Sequence, residues 1–195
     1  MNVLTMIFSI PLVTIGAATT AAHFAAVKIH RDEGHVWSSF WRSFKVNLKQ
    51  STGIWLIIVA YCFLALTSFD IASQMSGKIA GVIQGIVVAT LILTAFLYAW
   101  IMPLQSKFIN TIRATFKNSF YMAFKHLWRT LLMVILSVLP AGTLFLIFFV
   151  LGLRGLGIWL LFGISVPIYW CALLYDKLFE KLEEMILGNE PIETE

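Results

Sequence analysis

Apolar residues fall into five long runs: Val3–Val27, Ser51–Phe69, Ile79–Met102, Leu131–Val150 and Leu156–Tyr175. Each is long enough for a membrane-spanning helix, which needs about 20 residues. Alternating segments of about ten residues, the mark of a membrane barrel, are absent. Helices are then the way to satisfy the backbone in lipid. The pattern predicts an all-α polytopic bundle of five transmembrane helices, forming one integral membrane domain over residues 1–195.

Between and after the runs the period stays helical, but one face turns polar. Trp37, Phe40, Trp41, Phe44 and Leu48 recur at three- and four-residue spacing, with Ser38, Arg42, Lys45 and Lys49 opposite. Ile109, Ile112, Phe116, Phe120, Phe124 and Leu127 form a second stripe against Arg113, Lys117 and Lys125. Tyr175, Leu178, Phe179, Leu182 and Ile186 form a third, against Asp176, Glu180, Glu183 and Glu184. These stretches are too polar to span. They predict interfacial helices at about 36–50, 107–128 and 172–187. Trp37, Trp41, Arg42, Lys45, Lys49, Arg113, Lys117 and Lys125 then make a surface for lipid phosphates or for a partner. A topology anchor lying under its own bundle and a docking face both fit this pattern.

Charge orients the bundle. Of 14 basic residues, five lie in Lys28–Gln50, five in Pro103–Thr130 and two in the tail, leaving only Lys78 and Arg154 elsewhere. With five spans these three regions share one side, which the positive-inside rule makes cytoplasmic. The expectation is a multi-pass membrane protein with its N-terminus out and C-terminus in. No basic residue precedes the first run, which therefore reads as a retained anchor and not as a cleaved signal. The tail from Asp176 carries seven acids and two bases, so it is expected to pack under the basic loops.

Composition agrees: the chain is 59% hydrophobic and 12% charged, about half the charge of a soluble domain. That excludes a soluble enzyme, a nucleic-acid module and a disordered chain. Cys62 and Cys171 lie in apolar runs and read as packed thiols.

Small residues and prolines refine the spans. Gly77, Gly81, Gly85 and Ala89 stand four apart, as do Ala17, Ala21 and Ala25, and also Ala18, Ala22 and Ala26. Such stripes suit close helix packing, within the chain or across a homodimer. Pro11, Pro140 and Pro167 should kink or break their spans. The stretch Pro11–Gly16 is the expected break in the first helix, and a pocket is expected there from Pro11, Thr14 and Gly16 with Gln84. Phe40, Ser43, Phe44 and Lys49 also recur as Phe116, Ser119, Phe120 and Lys125, each 76 positions later. This is a weak internal repeat.

Catalytic chemistry is not written in the chain. No Asp, Glu, Lys or Arg lies deep in a span, and no carboxylate pair, histidine cluster or nucleophile–base set faces one place. His23 reads as a hydrogen-bonding residue between helices. The turn His30-Arg-Asp-Glu-Gly-His35 reads as a charged loop and not as a metal site. No cofactor, no catalytic residue and no nucleic-acid partner are expected.

The stretch Pro11-Leu-Val-Thr-Ile-Gly-Ala-Ala-Thr-Thr-Ala21, followed by Phe40-Trp-Arg-Ser-Phe-Lys-Val-Asn-Leu-Lys-Gln50, resembles the start of the YesL family. These are small integral membrane proteins found largely in Gram-positive bacteria, with a domain of unknown function. The resemblance is dense over residues 9–50, and the later spans agree in layout only. It implies an accessory role beside ABC-type carbohydrate uptake, and it carries over no catalytic residue. Neither inner loop shows a permease coupling motif or a P-loop. Two functions follow as expectations: a non-enzymatic accessory or scaffold subunit with ABC transporter subunits, other membrane proteins or a second copy as partner, and alternatively a small-solute transporter or channel.

Overall fold

The structure is a computed structural model that describes residues 1–9, 11–33, 35–151, 159 and 163–188. Its helices are α1 (Asn2–Ser9), α2 (Ile15–His30), α3 (Val36–Ser73), α4 (Lys78–Lys107), α5 (Ile112–Lys125), α6 (Leu127–Leu151) and α7 (Ser165–Gly188). A single 3-10 turn, Leu12–Thr14, joins α1 to α2. No strand occurs among the described residues. Among the described residues, four helical segments are long and apolar enough to cross a membrane: Leu12–His30, Val36–Ser73, Lys78–Lys107 and Leu127–Val150. The chain is thus an all-helical bundle of membrane type.

The boundaries depart from the hydropathy reading in instructive places. The first run is not one helix, because Pro11 brings no N–H and the backbone leaves the helix there. Beyond the break α1 turns back. Phe8 packs on Phe40, Trp41 and Phe44, whereas Gly16 abuts Ser51 and Trp55. The interfacial helix predicted at 36–50 is not a separate element. It is the first part of α3, whose 38 residues extend about 57 Å at 1.5 Å per residue. The polar face ends near Ser51, but no helix breaker stronger than Gly53 follows, so the hydrogen-bond ladder continues.

The helix predicted at 107–128 is shorter. Lys107 closes α4, which runs through Pro103, and Leu127 opens α6. Thr111 caps α5: its hydroxyl accepts from the Ala114 amide at 3.3 Å. The tail helix does not start at 172 but continues from Ser165 through the end of the fifth predicted span. The rest of that span, from 156, lies largely outside the described residues. Pro167 sits in the first turn of α7, where a missing N–H costs nothing, so it neither kinks nor breaks the helix. Asn2 reaches across from α1, its carbonyl accepting from the Ile164 and Ser165 amides at 2.9 Å each.

Packing is uneven along the bundle. Helix α2 is the hub, and its alanines, with Phe40, Phe44, Trp100, Tyr175 and Phe179, make the main core. A smaller core of Ile54, Ile58, Ile101 and Met102 sits where α3 meets α4. Beyond it α3 and α4 continue as a hairpin turned by Gly77, whose φ of 104° only glycine adopts without strain. Phe63, Leu64, Leu66, Val82 and Ile86 of this hairpin are exposed, as are Phe145 and Phe149 on α6. One end is therefore a packed, charged platform, and the other is bare apolar helix.

Candidate functional site

At the break in the first helix, side chains supply donors to the freed carbonyls. Proline and the turn free backbone carbonyls that membrane depth would leave unpaired. The Thr14 hydroxyl donates to the carbonyls of Phe8 at 2.6 Å and Pro11 at 2.8 Å. The Trp55 indole N–H donates to the Leu12 carbonyl at 2.9 Å. Gly16 is buried so tightly that a Cβ there would stand 2.5 Å from the Ser51 carbonyl oxygen. One turn on, the Thr20 hydroxyl lies 3.1 Å from Ser51 Oγ and 3.3 Å from Met102 Sδ. Pro11, Thr14 and Gly16 do come together, but Gln84 does not join them. The Trp55 ring meets Tyr98 of α4, and Gln84 lies 14 residues from Tyr98, about 21 Å along the helix. The four residues expected to share a pocket are thus three at the joint and one remote from it, and the joint itself leaves Pro11, Leu12 and Val13 exposed.

At the platform, the tail is clamped to the start of each basic segment. Arg31 Nε donates to both Asp176 carboxylate oxygens at 3.1 Å, and its guanidinium also reaches Glu180 at 3.1 Å. Lys107 pairs with Glu183 at 2.8 Å. Asp176, Glu180 and Glu183 stand at i, i+4 and i+7 on α7, so one face of a helix delivers all three. The hydrogen bonds of Asp176 are the main reason that the Arg31 guanidinium is held above its usual pKa. Lys28 pairs with Glu33 within the predicted charged turn, and its hydrogen bond draws the Glu33 carboxyl below its usual range.

The two clamping bases are repeat equivalents. Lys107 lies 76 positions after Arg31, the offset of the weak repeat. The same offset carries the first residue of α3, Val36, onto the first residue of α5, Ile112. The copies then diverge. Residues 36–73 form one helix, while the later copy bends at His126 between α5 and α6. Phe44 is buried and its equivalent Phe120 is exposed.

Inside the platform, a network of neutral polar groups joins α3, α4 and α5. The Gln105 amide donates to Asn47 at 3.4 Å, and its carbonyl accepts from Thr115 at 3.2 Å. The Asn47 amide donates to the Ser43 carbonyl at 3.0 Å and its hydroxyl at 3.3 Å. Trp100 donates to the Thr130 hydroxyl at 2.8 Å. Gln105, Thr115 and Thr130 are buried, so each bond also avoids a desolvation cost. Sequence reasoning passed over Asn47, Gln105 and Thr115. A signal was available for Gln105 and Asn47, amides just outside the ends of apolar runs, and none singled out Thr115.

The predicted basic surface lies on the outside of this platform. Trp37, Arg42, Lys45, Lys49, Arg113, Lys117 and Lys125 are exposed. Trp41 is half-buried, stacked on Phe44, with the Lys45 ammonium 4.6 Å from its ring centre. Lys125 donates to the Tyr121 hydroxyl at 3.0 Å. None of these six cations has a carboxylate within ion-pair distance among the described residues. Bare apolar side chains flank them, notably Ile109, Phe124 and Trp128. Nearby, His126 is held below its ordinary pKa, chiefly by burial and then by the charges of Arg129 and Lys125.

The packing stripes part company. Ala17 and Ala21 are fully buried in the hub. Gly77, Gly81 and Gly85 are exposed, and a Cβ on any of them would meet nothing within 4 Å. Of the two arrangements expected for such stripes, within the chain or across a homodimer, α2 shows the first, and the α4 glycines meet no neighbour among the described residues.

Residues 1–69 match the family described as "Protein of unknown function, DUF624". The match covers about a third of the chain and includes the break, the hub helix, the first basic segment and most of α3. No curated protein and no solved structure matches the chain. What the chain is similar to, over its first 69 residues, is therefore a family of unknown function.

Proposed function

We propose that this protein is a non-enzymatic membrane accessory or scaffold subunit. Its platform faces the cytoplasm and receives an acidic surface of another membrane protein, and subunits of an ABC-type carbohydrate importer are the favoured partner. The observation that carries this reading is the row of six exposed cations on α3 and α5 without carboxylate partners among the described residues. They are mounted on helices that the buried polar network ties to α4. Such a surface gives orientation and fast encounter with an oppositely charged partner. The convergence of residues 28–50, 103–130 and the tail at one end supports the cytoplasmic assignment. The YesL-like stretch supports the link to carbohydrate uptake.

Crosslinking and mass spectrometry in native membranes, with the importer expressed, is expected to recover importer subunits crosslinked through Lys45, Lys49, Lys117 or Lys125. Recovery of none would overturn the reading. Labelling of cysteines placed on each terminus reads the topology at the same time.

The repeat favours a second reading, a small-solute transporter built from two related halves. Its support is the shared offset of Arg31 with Lys107 and of Val36 with Ile112. Solute flux into liposomes that the purified protein alone supports would favour it. Absence of flux would remove it.

A further inference from the structure

Between the first turns of α3 and the end of α4 lies a cleft of about 150 Å³. Its wall carries Arg42, Ser43 and Asn47 from α3 and Gln105, Ser106 and Lys107 from α4. A smaller recess of about 40 Å³ shares Ser106 and Lys107 with it and reaches Lys28 and Arg31. Four cations thus border one connected depression.

The carboxylates around it are already engaged. Glu33 is held by Lys28, Asp176 and Glu180 by Arg31, and Glu183 by Lys107. Arg42 has no carboxylate partner among the described residues and keeps its planar fork of donors. Ser43 accepts from Asn47 through its oxygen, and its own proton has no acceptor among the described residues. The cleft therefore offers a guanidinium, an ammonium and a hydroxyl to a ligand, and among the described residues the one acid in its lining or that of the recess, Glu33, is paired. That donor set suits a phosphate oxyanion, which arginine binds with two parallel hydrogen bonds.

The mouth says what else the ligand carries. Val46 and Ile109 line it, and both are bare, at 71% and 101% exposure. A cationic floor with aliphatic lips fits a phosphate that is attached to an apolar body. We infer that this cleft binds the phosphate group of an anionic phospholipid, with Arg42 and Ser43 donating to its oxygens and Lys107 adding charge. Basic pockets among membrane helices bind lipid headgroups by this chemistry. The inference does not depend on the scaffold reading: lipid can be held with no partner recovered, and a partner can be recovered with no lipid held.

The test is native mass spectrometry of the full-length protein in detergent, with phosphatidylglycerol, phosphatidylcholine or inorganic phosphate added in separate arms. One phosphatidylglycerol per chain is expected to be retained, with phosphatidylcholine retained at least tenfold less. Arg42→Gln, an exposed position that threatens no core, is expected to weaken retention at least tenfold. Lys181→Gln, at an exposed lysine on α7 that lines neither recess, should leave it unchanged. Equal retention of inorganic phosphate would keep the phosphate site and assign it to a free ligand. Retention of phosphatidylglycerol that Arg42→Gln and Lys181→Gln affect alike, or that matches phosphatidylcholine, would overturn the inference.

Discussion

Two stripes of small residues look alike in this chain and behave in opposite ways. On α2, Ala17, Ala18, Ala21, Ala22, Ala25 and Ala26 are all at 0% exposure. On α4, Gly81 and Gly85 stand in open space. The neighbours differ, not the spacing. Helix α2 is walled by α3, α4 and α7, while the glycines on the outer part of α4 meet no neighbour among the described residues. Half of the apolar window in Leu12–His30 is buried in the protein, compared with 11% in α3, 11% in α4 and 6% in α6. A small-residue stripe therefore states that close approach is possible. Which helix makes that approach depends on where the chain puts its anchors, and among the described residues the ion pairs are at the platform.

The comparison breaks most easily at Gly16. A side chain there meets the Ser51 carbonyl oxygen at 2.5 Å and Trp55 Cβ at 2.6 Å. Gly16→Val is expected to cost at least about 3 kcal/mol, since backbone and a ring must both move. Loss of the monodisperse peak on detergent size-exclusion chromatography would register it. An unchanged melting temperature would mean that α2 does not sit against α3 as described.

Next in size is the clamp. Arg31→Gln leaves Asp176, a buried carboxylate at 4% exposure, without its main partner. Removing one member of such a pair costs about 3 kcal/mol. Lys107→Gln should cost under about 1 kcal/mol, because Glu183 is 44% exposed and water screens the pair. Thermal unfolding in one detergent ranks the two. Equal losses would show that the tail is not anchored mainly through Arg31.

Much of this was legible in the sequence. Pro11 marked the joint because a residue without an N–H leaves a visible gap in the helical ladder. The signs of the loops and the tail foretold that they attract. What was hidden is where helices continue. Nothing between Lys49 and Trp55 says whether an amphipathic stretch bends onto a surface or runs straight into a span, because both obey the same 3.6-residue period. The pairing of Arg31 with Asp176, 145 residues apart, was likewise unreadable. Charge fixes a sign, and only the fold chooses among partners. The polar network around Gln105 escaped because one amide beyond an apolar run looks like a loop residue until three helices close on it.

A smaller effect separates the two ends by pH. Burial and the charges of Arg129 and Lys125 lower the pKa of His126 from 6.5, so the fold prefers the neutral ring. The unfolded chain takes up that proton first. The stability contributed is present above about pH 6.5 and is lost as pH falls below it. Melting temperature is expected to fall between pH 7.5 and 5.5, and His126→Gln should flatten part of that slope. A slope unchanged in the variant would remove His126 from the account.

The smallest effect has the opposite sign. Gly85→Ala places a methyl group in open space on a helix. It should leave stability unchanged or raise it by at most about 1 kcal/mol. A loss would mean that something packs on α4, a second copy above all.

The most direct measurement is a tryptophan scan of both stripes, at Ala17, Ala21 and Ala25 and at Gly81, Gly85 and Ala89, read by melting temperature and by oligomeric state in detergent. The account predicts that the α2 variants fail to fold or melt far lower. The α4 variants should melt within a few degrees of the parent and keep its oligomeric state. Comparable losses on the two helices, or a changed oligomeric state in the α4 variants, would contradict it.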